Sequence, residues 1–330
     1  MKQFLQKKAK LVFLCMLVLL TCTACANPRG RDGKTLADQI IASEETTIDA
    51  SQINYKDISD KELKKEIKKN IKDGQYTIQP TTFKNSMSKG WFEGLIVWPI
   101  AQIINLISSK TDAGVGIILT TLLIQMLVFV FTRKSQMSTQ RMQEIQPEIQ
   151  KIQNKYQDKT DERSKMQMAQ EMQNLYQKYD IHPFGSMLIT FIQLPIMMGM
   201  YYATMRSVSV VSGSFMGISL AGTPLDGFKA LDIAYIAIYV LMVIFYIVSM
   251  KLPQWLKKWQ DKKDNVKVKK YAQEQTNPMA NSMNMSMYFM TAMICVMYIS
   301  WPMAMSFYWL VSSVIRVCQS LILHQVMNKK

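Results

Sequence analysis

The chain has 330 residues, of which 49% are hydrophobic and 19% charged, with a formal net charge of +15. Several uninterrupted apolar runs of about 20 residues exclude a soluble domain and define a multi-span, all-α membrane protein. With five cysteines and two histidines, nothing has zinc-ligand spacing, a nucleophile–histidine–carboxylate arrangement or a disulfide framework, so neither enzyme chemistry nor a cofactor is expected.

The chain opens with Lys2, Lys7, Lys8 and Lys10, then the apolar run Leu11 to Leu20 and small residues up to Cys25. This is a signal peptide of the lipoprotein kind over residues 1–24, with Cys25 as the lipidated first residue. Cys22 stands where such signals usually carry Leu. Cleavage after Ala24 without lipidation, or an uncleaved anchor, are the alternatives. All of them put residues 25–90 outside the cell.

That segment is polar and mixed in charge. Ser59 and Glu62 have capping-box spacing, Ile58 can staple onto Leu63, and Leu63, Ile67 and Ile71 form a narrow stripe ended by Gly74, so one helix is predicted. Gly33-Lys34-Thr35 lacks the upstream glycine and strand of a phosphate loop. Residues 91–110 are apolar but contain Glu93, Gln102, Asn105 and Pro99. With Trp91, Phe92 and Trp98 they predict an amphipathic helix on the outer face of the membrane, a tilted span being the alternative.

The core occupies residues 111–330. Five spans are predicted, at about Ala113 to Thr132, Pro183 to Met205 with Pro195 kinking it, Ala230 to Met250, Asn284 to Ile299, and Met303 to Leu323. The first two are separated by a charged stretch, residues 133–182. There Met142, Ile145, Ile149, Ile152 and Tyr156 recur at steps of three and four, as do Met168, Met172, Leu175 and Tyr179. This is a coiled-coil hairpin of two helices turning at Asp158 to Asp161.

Charge sets the orientation. Residues 133–178 carry nine Lys or Arg and residues 251–270 carry eight, whereas 207–229 carry only Lys229. Basic loops stay in the cytoplasm, so the hairpin, the 251–283 loop and the C-terminus lie inside. Sidedness thus accounts for the basic balance without a nucleic-acid partner, and some attraction to anionic lipids follows.

Polar groups at membrane depth mark function. Arg316 lies about seven residues from the inner end of the fifth span, roughly 10 Å deep at the helical rise. Gln125 in the first span lies at a similar depth, and Gln193 and Thr190 are in the second. Tyr308, Ser312, Arg316 and Gln319 follow one helical face. No Asp or Glu lies deep in a span to pair with Arg316. Water in a cavity open to the cytoplasm, lined by the first, second and fifth spans, would satisfy it; snorkelling to the inner headgroups is the alternative. The 27 methionines suit either core filling or an adaptable apolar surface, and on the hairpin Met142, Ile145, Met168 and Met172 are the substrate-receiving candidates.

The order of these elements resembles the YidC/Oxa/Alb family of membrane protein insertases over Trp91 to Gln325. The strings that carry the resemblance are Met142-Gln-Glu-Ile-Gln-Pro-Glu-Ile-Gln-Lys-Ile-Gln-Asn-Lys-Tyr156, Gln193-Leu-Pro-Ile-Met, Tyr201-Tyr-Ala and Phe307-Tyr-Trp-Leu-Val. With the lipoprotein leader they look like a Gram-positive, plasma-membrane member. The resemblance implies a five-helix core and a hydrophilic groove open to cytoplasm and lipid. It also implies a hairpin that receives nascent membrane proteins, and work alone or beside the Sec translocon, with the ribosome as a further partner. Such families commonly carry an arginine in the first span, where this chain has Gln125. Arg316 stands where an apolar residue is usual, and Trp309 matches an aromatic lining the groove. The implied function is nucleotide-free insertion of hydrophobic segments with their polar tails. An assembly scaffold or a transporter are the alternatives; a transporter would favour paired ionisable residues, broken helices or internal repeats.

Overall fold

The structure is a computed structural model and describes residues 28–157, 159, 161–181, 185–263, 289 and 291–328. Cys25 and the leader lie outside the described residues, as do two of the four residues of the predicted hairpin turn, 158 and 160, and most of the 251–283 loop. Helices dominate, and three of those described are long and apolar enough to cross a membrane. The chain divides into two compact units.

The first unit contains residues 28–125, 191–242 and 299–312. It begins with a small folded module that sequence periodicity did not reveal. Strand β1 (Thr35–Leu36) pairs in parallel with β3 (Ile53–Asn54), and β2 (Thr46–Asp49) pairs antiparallel with β4 (Gln75–Ile78). Helix α1 (Lys61–Asn70) lies between β3 and β4. Ile40, Ile48, Ile53, Ile58, Ile67 and Ile78 form the core, with Val208 and Val211 closing it.

The cap of α1 is not Ser59 but Asp60. Its carboxylate accepts from the backbone N–H of Glu62 at 2.9 Å and of Leu63 at 3.2 Å, a charge-assisted bond at the positive end of the helix. The helix also ends before Gly74, at Asn70. Asp73 (φ 49°) and Gly74 (φ 77°) then make the left-handed turn into β4, a place for Asp-Gly.

Helix α2 (Phe83–Lys89) and a π-helical turn at Glu93–Val97 lead into α3 (Trp98–Ser108). The polar groups of this stretch do not face water as an amphipathic surface helix would have them. Trp98 Nε1 donates to Thr81 O at 2.8 Å, Gln102 Nε2 to Ala42 O at 3.1 Å, and Asn105 Nδ2 to Ile41 O at 2.8 Å. The module sits on the polar face, while Leu95 and Leu106 on the other side are exposed.

Helix α4 (Ala113–Glu144) starts in this unit and continues into the next without interruption. The first span and the start of the hairpin are therefore one helix rather than two elements meeting near Arg133. At about 1.5 Å per residue it is roughly 48 Å long, more than a bilayer core requires.

The second unit contains residues 126–190, 243–298 and 313–330. Helix α5 (Gln146–Lys155) follows a break at Ile145, where Pro147 occupies the first turn and cannot donate to the preceding turn. Helix α6 (Glu162–Lys178) returns beside it, capped by Asp161 accepting from Ser164 N at 2.8 Å. Ile145, Ile149, Leu175 and Ile181 are buried between them, with Met142, Ile152, Met172 and Tyr179 packed around.

Helix α7 (Gly185–Arg206) forms the second apolar segment and carries Pro195 in its interior. A short helix α8 (Val208–Val211), a hairpin of β5 (Ser214–Phe215) and β6 (Ile218–Ser219), and α9 (Pro224–Ala230) make up the loop that follows. Helix α10 (Ile233–Lys263) begins after left-handed Leu231. It extends well beyond Met250, so the first part of the predicted basic loop is helix; its Lys, Leu and Gln residues are good helix formers. Residues 291–298 are helical, but the start of the predicted fourth span lies outside the described residues. Helix α11 (Met303–Asn328) is the last described element and is longer than the predicted fifth span.

Candidate functional site

In the first unit, two polar contacts join helices distant in sequence. Gln125 of α4 donates from Nε2 to Ser312 Oγ of α11 at 3.1 Å. Gln193 of α7 donates from Nε2 to the Tyr308 hydroxyl of α11 at 3.1 Å. Gln125, Ser312 and Tyr308 are buried, at 5%, 1% and 0% exposure, and Gln193 is half-buried. A buried amide without a partner costs about 1–3 kcal/mol, so each contact favours the close approach of its helices.

Trp309 is buried beside this pair of contacts. Its ring lies 5.0 Å from Trp301, which in turn lies 4.6 Å from Tyr201. The aromatic chain joins α7 to the start of α11, so the polar contacts stand next to a rigid apolar wall.

Arg316 belongs to the second unit. Its Nη2 donates to Ser313 Oγ at 2.8 Å, and the side chain is half-buried. Gln319, further along α11, is also half-buried. Thr190 lies within α7, and its side chain is outside the described residues. Near the end of α11, His324 Nδ1 lies 3.9 Å from Glu144.

The hairpin candidates divide by exposure. Ile145 is buried in the hairpin's own core, with Met142 and Met172 half-buried against it. Met168 is half-buried, whereas Met166, which sequence reasoning passed over, is 73% exposed. Met166 falls off the core stripe, and that offset was the available signal. Polar contacts lace the two helices together. Tyr156 Oη and Lys155 Nζ both donate to Glu171, at 2.9 and 2.5 Å, and Tyr179 Oη donates to Glu148 at 2.6 Å. Hydrogen bonds from Lys155 and Tyr156 hold the Glu171 carboxyl below its ordinary value. The bond to Glu148 and burial push the Tyr179 phenol up.

A further site escaped sequence reasoning. Arg206, at the end of α7, is 2% exposed and ion-paired with Glu93, itself 7% exposed. The Arg206 guanidinium carbon lies 5.5 Å from the Tyr202 ring centroid. Close by, Ser207 Oγ donates to Asn105 Oδ1 at 2.6 Å and Ile41 N donates to Arg206 O at 2.6 Å. The module, α3 and α7 therefore meet at one buried polar knot. A charged residue closing an apolar run was the sequence signal, though it did not reveal the partner.

Among the described residues, no group of three or more His, Cys, Asp or Glu side chains is placed to hold a metal ion.

Long apolar helices, polar contacts between them and a charged helical hairpin define an α-helical, multi-span membrane protein. Residues 105–330 match the family model described as the 60Kd inner membrane protein, and the chain belongs to that family, the YidC/Oxa/Alb family. Among similar proteins is membrane protein insertase YidC 1 of Streptococcus pyogenes serotype M6. It is 31% identical over 237 residues, covering 72% of this chain and 75% of the relative. Membrane protein insertase MisCA of Bacillus subtilis is 29% identical over 238 residues, covering 72% and 80%. Membrane protein insertase YidC of Oceanobacillus iheyensis is 29% identical over 245 residues, covering 74% and 87%.

Proposed function

We propose that this protein inserts membrane proteins. It would take hydrophobic segments with their polar tails from the cytoplasm into the plasma membrane of a Gram-positive cell, without nucleotide, cofactor or catalytic residue. The observation that carries the reading is the buried Gln125–Ser312 contact between α4 and α11. A polar tail crossing a bilayer must replace its lost water. The Gln125–Ser312 and Gln193–Tyr308 contacts are neutral and can be exchanged for bonds to a passing backbone at small net cost. Arg316, four residues beyond Ser312 along α11, would supply a positive charge at the cytoplasmic side of this path and attract acidic tails. It would take the part that a first-span arginine plays in similar proteins.

The positive-inside distribution supports a cytoplasmic hairpin and an outer module, and the leader pattern supports lipidation of Cys25. The hairpin receives the apolar segment, with exposed Met166 joining Met168, Met142 and Met172 as the adaptable surface. Transfer of the segment to lipid provides the drive. At about −0.3 to −0.6 kcal/mol per apolar residue, twenty residues supply roughly −6 to −12 kcal/mol. Anionic lipids, the Sec translocon and the ribosome are the proposed surroundings.

The test is reconstitution. Purified full-length protein in liposomes, given a short membrane protein without nucleotide, should protect the translocated tail from added protease. If protection equals that of empty liposomes, while depletion in cells still disturbs assembly of larger membrane complexes, the protein is a scaffold and the insertion reading fails.

A further inference from the structure

Helix α10 is the least embedded of the three described helices that can cross a membrane. Of its most apolar stretch 11% is buried, against 33% for α4 and 50% for α11. It is also long. Its 31 residues rise roughly 46 Å, beyond the ~30 Å hydrocarbon core of a bilayer. Packing against protein therefore does little to set its tilt, and that role falls to anchors at the membrane surface.

The end of α10, in the second unit, has the residues of such an anchor. Residues 251–263 carry five lysines and one acid, Asp261. Among them Trp255, Lys258, Trp259, Lys262 and Lys263 are exposed, the tryptophans at 49% and 62%. At 3.6 residues per turn these side chains fall within an arc of about 140°. Gln254, Leu256, Lys257 and Gln260 lie outside the arc and are half-buried. Exposed Ile244 and Ile247 continue the same side of the helix toward its apolar part. The face thus passes from isoleucine through tryptophan to lysine, as a bilayer passes from hydrocarbon through headgroups to water. Lys263 Nζ lies 5.6 Å from the centroid of the Trp259 ring, so charge and ring would enter the headgroups together.

Chain continuity keeps this face within reach of the membrane. Counted from the predicted inner end at Met250, Trp255 lies roughly 7 Å and Trp259 roughly 13 Å further along the helix. The headgroup layer is about 5–8 Å deep on each side. An upright helix would hold Trp259 in water. A lean toward this face, within the roughly 0–40° that spans adopt, brings both rings into the headgroups. Pro253 stands between Met250 and Trp255 inside the helix; it removes one backbone hydrogen bond and admits a bend there. Headgroups take an indole ring and its N–H together, and lysines beside it gain from anionic phosphates.

We infer that the face formed by Trp255, Lys258, Trp259, Lys262 and Lys263 docks on a bilayer surface of anionic phospholipid, and that this contact sets the lean of α10. The inference rests on the reading above only in assigning that surface to the inner leaflet, where the positive-inside rule puts these lysines.

The experiment uses the full-length protein with a photo-crosslinking amino acid at Trp259, at Gln260 as a control off the face, or at Ile244 as a control in the hydrocarbon. The vesicles are phosphatidylcholine alone or an equal mixture with phosphatidylglycerol, and protease protection of an inserted tail is read in parallel. The expected result is lipid capture from Trp259 above the Gln260 level, with phosphatidylglycerol taken beyond its share of the mixture. Ile244 should capture the two lipids in proportion. Lys258→Gln together with Lys262→Gln should lower the preference at Trp259 about two- to fivefold, and high salt should act in the same direction. Capture from Trp259 in proportion to composition overturns the anionic preference. Lipid capture at Trp259 no better than at Gln260 while Ile244 captures lipid, or capture of protein in its place, overturns the docking assignment. Failure of tail protection with lipid capture as expected overturns the insertion reading and leaves the docking face standing.

Discussion

Gln125 donates to the hydroxyl of Ser312 across 3.1 Å, and both side chains are buried. The two residues belong to the first and last of the described helices that are long and apolar enough to cross a membrane, so one neutral hydrogen bond joins helices distant in sequence. In a membrane such bonds average about 0.6 kcal/mol and reach about 1.7 kcal/mol, because the separated helices find other partners. A double-mutant cycle with Gln125→Leu and Ser312→Ala, read by unfolding in mixed micelles, should give a coupling in that range. Additive effects would show that the bond does not hold the helices together, and its use as an exchangeable contact would lose its basis.

Under the proposed function, the charge of Arg316 selects for acidic tails. Arg316→Ala should impair insertion of acidic-tailed substrates in a depleted strain more than Gln125→Ala does. Arg316→Lys should retain most activity, since a charge rather than a planar fork is required. Substrates with neutral tails should respond least. If Arg316→Ala and Gln125→Ala are both without effect, the proposed displacement of the positive centre from the first span to the last is wrong.

The hairpin was legible because its signal is local. Ile145, Ile149 and Leu175 recur at helical spacing, and these same residues are buried together. Gln125 and Gln193 stood out because amides are rare in apolar runs, although their partners Ser312 and Tyr308 were named only as neighbours on a face. The N-terminal module was illegible for the opposite reason. Its strands are two to four residues long, too short to show alternation. Its isoleucines are scattered, and Val208 and Val211, far along the chain, complete the core. The α1 cap shifted by one residue because Ser59 and Asp60 are both good caps, and sequence spacing favoured the wrong one. Nor could the polar residues of α3 reveal their purpose: Asn105 bonds Ile41, and no periodicity encodes a partner so remote.

The Arg206–Glu93 pair gives a stability prediction. Both groups are buried, so removing one partner leaves a charge without compensation, at about 3–5 kcal/mol. Glu93→Gln should therefore lower the thermal midpoint of the purified protein substantially. Replacing both, with Glu93→Leu and Arg206→Met, should cost less than either single change, because two desolvation penalties vanish together. The readout is thermal unfolding in detergent. A double variant as unstable as the sum of the singles would mean that the two groups are not coupled, and the cost of each single change would not be that of an uncompensated partner.

The hairpin should loosen in acid through Glu171. Its carboxyl is lowered from an ordinary value of 4.5 by hydrogen bonds from Lys155 and Tyr156. A carboxyl whose folded value lies below its unfolded value binds fewer protons when folded, so it stabilises the hairpin above the unfolded value. That contribution is lost as pH falls from about 4.5 through the lower folded value, since below both values the two states bind the proton equally. Amide exchange across residues 142–179, measured between neutral and acid pH, should show protection falling in that window. In Glu171→Gln the protection should be weaker at neutral pH and flatter through the window, because neither the charge nor its titration remains. Leu175→Ala is the control for a pH-independent loss, since it removes buried apolar contacts and leaves the Glu171 contacts in place. An equally steep acid response in Glu171→Gln would assign the transition to other carboxylates, with Asp161 at the α6 cap the first to substitute, because its carboxyl is also held low, by the Ser164 amide.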